Sequence, residues 1–116
     1  MTIRLNIQGR KVFLSRKLRQ HVERRVRRAI HRFESRIRLI SVVLADVNGP
    51  KGGNDKVCRV IVALTRLDHV VVTRFGSDSF GLVDGVSDRG NERISSLVQR
   101  RRQFDRTQSI RREARL

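Results

Sequence analysis

Between residues 37 and 75 the chain offers three apolar runs in succession, and this triple narrows the choice of fold more than any other feature. "IRLISVVLADV" (37–47), "KVCRVIVALTRL" (56–67) and "HVVVTRF" (69–75) are rich in β-branched residues, which suit a pleated surface. Cys58, Val60, Val62 and Leu64 alternate with their neighbours, placing them on one face of a strand. "NGPKGGND" (48–55) holds the only proline and three glycines, so a turn or hairpin loop is predicted there, with a second turn at "LD" (67–68). Consecutive strands on short connections favour antiparallel pairing. A sheet with one apolar face must bury that face under another layer.

The flanking segments supply that layer. "TIRLNIQG" alternates Ile3, Leu5 and Ile7 with polar residues, predicting a half-buried strand. After the "GRK" turn, Ser15 is placed to cap a helix over about residues 15–33. Its apolar stripe is Leu18, Val22, Val26, Ala29, Ile30 and Phe33. Gly76 ends the last strand, and Ser77 or Asp78 caps a second helix over about 78–102, predicted to bury Phe80, Val83, Ile94, Leu97 and Val98. Gly81, Gly85 and Gly90 lie inside it, each costing about 1 kcal/mol relative to alanine. Gly90 is the one expected to allow close packing or a kink. The order β-α-β-β-β-α defines an α+β domain, a four-stranded sheet with both helices on one face, over residues 1–102. The basic remainder, 103–116, is predicted to be a disordered tail.

Charge dominates the composition. There are 27 Lys+Arg against 11 Asp+Glu, a formal net charge of +16 in 116 residues. Self-repulsion of that size points to a polyanionic partner. On the first helix Lys17, His21, Arg24, Arg25, Arg28 and Arg32 recur at spacings of three and four, forming one basic ridge beside the apolar stripe. Glu23 is the only acid between Ser15 and Phe33. The second helix separates its charges: Asp84, Asp88 and Glu92 on one side, Arg89, Arg93 and Arg100 on another. If the helices pack side by side, the second basic row would extend the first into a cationic trough. The nine residues Lys17, His21, Arg24, Arg25, Arg28, Arg32, Arg89, Arg93 and Arg100 are the candidate nucleic-acid contacts. There is no Trp or Tyr. With Phe33, Phe75 and Phe80 assigned to the core, only Phe13 and Phe104 remain as exposed rings, which argues against an aromatic stacking platform. Phosphate contact and shape fit better. A double-stranded-RNA domain would need lysines where "SDSFGLVD" stands.

With this order of elements, "LNIQGRKVFLSRKLRQHVERRV" and "GSDSFGLVDGVSDR" resemble the ribosome hibernation promoting factor family, also called ribosome-associated inhibitors or sigma-54 modulation proteins. Leu18, Arg19, Val22, Arg25, Arg28 and Phe33 stand in the places of the first motif. Asp78, Phe80, Val83, Asp84, Asp88 and Arg89 stand in those of the second. Phe80 replaces the usual tyrosine, Gly90 a leucine, and Glu92 a frequent arginine. The resemblance implies a factor that binds the small ribosomal subunit on its 16S rRNA, between head and body, over the mRNA and tRNA sites. Translation would be blocked by occupancy, and idle ribosomes preserved in starvation or stationary phase. The length corresponds to the short form.

Other chemistry finds little support. His21, His31, His69 and the single Cys58 have no metal-ligand spacing. The loop lacks the end of a phosphate-binding motif. No catalytic set, cofactor or small-molecule substrate is expected. No run approaches a membrane span of about 18 residues. One cysteine fits a reducing compartment, so a cytoplasmic protein, monomeric when free and without membrane contact, is expected. Two other functions remain in view: a regulatory module docking on an acidic protein surface, and a general nucleic-acid binder.

Overall fold

The computed structural model describes residues 3–47 and 55–114. It contains strand β1 (Arg4–Arg10), helix α1 (Arg16–Ile30), a 3-10 segment (His31–Arg36), strands β2 (Ile37–Asp46), β3 (Lys56–Leu64) and β4 (Val70–Gly76), and helix α2 (Ser79–Ala114). The expected β-α-β-β-β-α order is what is found. The glycine-rich loop lies outside the described residues, apart from Asp55. That residue's carbonyl accepts from Val47 N–H at 2.8 Å and closes the β2–β3 hairpin from inside the loop.

The strands lie in the order β1-β2-β3-β4. β2, β3 and β4 pair antiparallel, and β1 pairs parallel to β2, with α1 as the crossover that a parallel neighbour requires. One row of the register, Ile7, Val42, Val60, Val72, crosses all four strands. Such rows form the floor on which both helices sit. Leu18, Val22, Val26 and Ile30 of α1 are buried against it, and each full burial of this kind contributes roughly 1.5–3 kcal/mol.

Ser15 caps α1, its Oγ accepting from Leu18 N–H at 3.1 Å. Asp78 caps α2 in the same way, accepting from Phe80 N–H and Gly81 N–H, both at 3.2 Å. Gly9 has a steric reason for its identity: a Cβ there would lie 2.7 Å from the Val12 carbonyl oxygen and 2.9 Å from Leu14 Cγ. The chain turns tightly against itself after β1, and Lys11 takes a positive φ of 57° to do so.

Three expectations need correction. α1 ends at Ile30, where the chain tightens into the 3-10 segment, so Phe33 enters the core from that turn. Phe75 and Phe80 are not core residues, being 64% and 41% exposed. Val70 and Val72 face the helices, so Phe75 shares the parity of Val71 and points to the open face of the sheet. The segment expected to be a disordered tail is helix through Ala114. Its arginines, glutamines and alanine favour helix, and no glycine or proline interrupts it after Gly90. An isolated helix of this length would be marginal. This one only propagates a helix already nucleated on the sheet, so it avoids the nucleation cost.

Candidate nucleic-acid interface

The two helices run side by side in the same direction, and the seam between them is ionic. Arg25 Nε donates to Asp84 Oδ1 at 2.9 Å, and Arg25 Nη2 donates to Asp88 Oδ1 at 2.8 Å. His21 Nε2 lies 2.8 Å from the same Asp84 oxygen, and Arg24 Nη2 donates to His21 Nδ1 at 3.3 Å. A carboxylate on one ring nitrogen and a guanidinium on the other select the Nε2–H tautomer. Phe80 covers this cluster, its ring centroid 5.0 Å from that of His21. Burial pushes the Asp84 carboxyl up, but hydrogen bonds from Arg25 and His21 outweigh it and hold the pKa below the ordinary carboxylate value. The bond to Asp88 raises the Arg25 guanidinium, against burial that lowers it, with Asp84 adding to the rise.

This geometry separates the predicted contacts into groups. His21 and Arg25 are held in the seam, and the Arg25 side chain is 24% exposed. Lys17, Arg24, Arg28 and Arg32 are exposed on the outward side of α1 and its 3-10 extension, with Arg32 stacked over Phe33 at 4.7 Å. Arg89, Arg93 and Arg100 lie on the far flank of α2, with Asp68, His69 and Val70 beside them in a cleft of about 470 Å³. There Arg89 pairs with Glu92 at 3.0 Å, and Arg93 Nη1 donates to the Val71 carbonyl at 2.6 Å. The expected continuous trough is therefore absent, because α2 turns Asp84 and Asp88 towards α1 and its basic row, with Glu92 among it, towards β4. Pairing acids with the seam cations removes like-charge contact from the line where the helices meet.

What remains is the outward face of α1. Among the described residues, Arg16, Lys17, Arg19, Arg27 and Arg28 carry no side-chain hydrogen bond or ion pair, and Glu23 neutralises none of them. Arg16, Arg19 and Arg27 are not among the nine candidate contacts. In the structure all three are exposed; by helical angle Arg16 and Arg27 adjoin the Lys17–Arg24–Arg28 row, while Arg19 lies on the side opposite Arg28. The signal that could have included them was the absence of any acid but Glu23. The described residues contain no cluster of His, Cys, Asp and Glu fit for a metal ion, and no helix among them is long and apolar enough to cross a membrane.

The structure is an α+β sheet roofed by two parallel helices, with cations exposed on α1. Comparison with solved structures gives this architecture known counterparts. The chain is similar to the Protein Y N-terminal domain of Thermus thermophilus, at 22% identity and TM-score 0.64, covering 81% of this chain and 96% of that one. It is also similar to a ribosomal subunit interface protein from Coxiella burnetii, at 18% identity and TM-score 0.66, again covering 81% and 96%. The chain thus shares its fold with these two proteins. No protein-family model and no curated protein sequence matches the chain.

Proposed function

We propose that the protein is a ribosome-associated factor that binds the small subunit through rRNA phosphates and inhibits translation by occupying the mRNA and tRNA path. The observation that carries this reading is the row of exposed cations on the outward face of α1 that meet no acidic side chain. Two solved proteins sharing the fold support it, one of them described as a ribosomal subunit interface protein. Arg24 and Arg28 are the principal contacts on this reading, with Lys17 and Arg32 beside them. Arg16 and Arg27 widen the footprint. Arg25 and His21 act indirectly by fixing α1 against α2. Nothing in the site calls for bond-making chemistry, and the protein is read as a non-enzymatic, cytoplasmic factor.

The test is co-sedimentation with small ribosomal subunits, paired with translation in vitro. Arg24→Glu with Arg28→Glu should weaken association at least about tenfold near physiological salt, since two phosphate contacts become repulsive. Translation should recover in proportion. Full co-sedimentation of that double variant, with inhibition intact, would remove the proposal. Ribonuclease treatment separates this reading from docking on an acidic protein, which would survive digestion of the RNA.

A further inference from the structure

From Gln99 to Ala114 every residue of α2 is exposed. At 1.5 Å per residue the stretch is about 24 Å long. It carries Arg100, Arg101, Arg102, Arg106, Arg111 and Arg112 against Asp105 and Glu113. With 3.6 residues per turn, the six arginines fall into three pairs pointing in three directions: Arg102 with Arg106, Arg100 with Arg111, and Arg101 with Arg112. Only Arg101 is engaged, 3.4 Å from Asp105 and 5.9 Å above the Phe104 ring. Ser96, Gln99, Arg100, Arg102, Gln103 and Arg106 line one polar depression along this helix, and no acid enters it. Phe104 and Ile110 are exposed but lie about a third of a turn apart, so no apolar stripe forms.

This pattern discriminates between polyanions. A helix lying on a lipid surface segregates cations to one face and apolar residues to the other, and here neither is segregated. A flat acidic surface would meet only one of the three arginine pairs. Cations on three sides match a crevice with phosphates on more than one side, as folded RNA offers between its strands. We propose that residues 99–114 form an RNA-binding arm, separate from the outward face of α1, which seats in such a crevice. Which RNA the arm meets rests on the ribosome reading above; its chemistry does not.

The test uses the full chain with Arg102→Gln, Arg106→Gln and Arg111→Gln together, because glutamine keeps the helix propensity. Binding is measured against salt for small ribosomal subunits, for a naked structured rRNA fragment, and for anionic phosphatidylserine vesicles. Loss of up to three phosphate contacts should flatten the salt dependence by roughly two units of log–log slope and lower affinity for the structured RNA about tenfold or more. Vesicle binding should be weak and unchanged. The same slope and affinity as the parent on both RNA targets would overturn the arm while leaving α1 binding intact. An effect confined to the vesicles would overturn it as well. A parent protein that ignores subunits yet binds structured RNA through the arm would support the arm and overturn the ribosome reading.

Discussion

Arg25 of α1 and Asp84 of α2 meet through a 2.9 Å bond that joins positions 59 residues apart. Asp88 takes the other arm of the same guanidinium. Positions that would ordinarily be read as charged surface here fix the angle at which α1 presents its outward face. Residues that carry the family resemblance, Arg25, Asp84 and Asp88, are thereby accounted for by helix packing, and Asp78 by capping.

The latch should be visible in a double-mutant cycle. Asp84 is half exposed, so the coupling between Arg25→Gln and Asp84→Asn should be modest, about 0.5–1 kcal/mol in urea unfolding. Arg25→Gln should lower stability more than Arg28→Gln, and lower subunit affinity less. The reverse ranking would assign Arg25 to the RNA contact itself.

Acid should weaken the seam. The Asp84 pKa is depressed in the folded chain, so its contribution is fully present above the unfolded value near 3.9. That contribution is lost as pH falls through the folded pKa. Urea midpoints measured from pH 6 to pH 2 should fall less steeply below about pH 4 for Asp84→Asn than for the parent. Parallel curves would show that Asp84 does not couple to folding.

Gly90 is buried on the underside of α2, and an added Cβ would meet nothing within 4 Å. A small void beside it is bounded by Val26, Ala29, Ile30, Val60, Val62, Val86 and Ser87. Gly90→Ala should therefore stabilise the protein by about 1 kcal/mol, through helix propensity and filled space. A rise in the thermal midpoint checks it, and a fall would mean the helices close over that gap in solution.

Cys58 is fully buried under the helices, and burial pushes its thiol pKa up to about 12. The folded protein should not react with an aromatic disulfide reagent at pH 8, since the thiolate is the nucleophile. Stoichiometric reaction should appear on adding urea. Rapid labelling in buffer would indicate frequent opening of the sheet–helix interface.

The order of elements, the α1 stripe and the Ser15 cap were legible because period and capping chemistry are local. Cys58, Val60, Val62 and Leu64 fall inside for the same reason. The rotation of α2 was less accessible, because both of its flanks are charged and only a tertiary neighbour decides between them. Even so, a clue was present: His21 and Arg25 are four apart on one helix, as are Asp84 and Asp88 on the other. Opposite charges at matched spacing suit a seam better than a trough. Phe75 is large and apolar, but parity in the strand decides its face and sets it beside Val71 on the open side. The arm's polarity alone suggests disorder, yet the segment adjoins a helix that only has to continue.

The bond from Arg93 to the Val71 carbonyl has a consequence for molecules crowded together. β4 is a border strand, and borders of this kind invite a second sheet to zip on. A guanidinium laid across that margin, bonded at 2.6 Å, obstructs such stitching and brings a repelling charge to any approaching twin. The same arginine that stands among the nucleic-acid candidates thus also guards an open sheet margin.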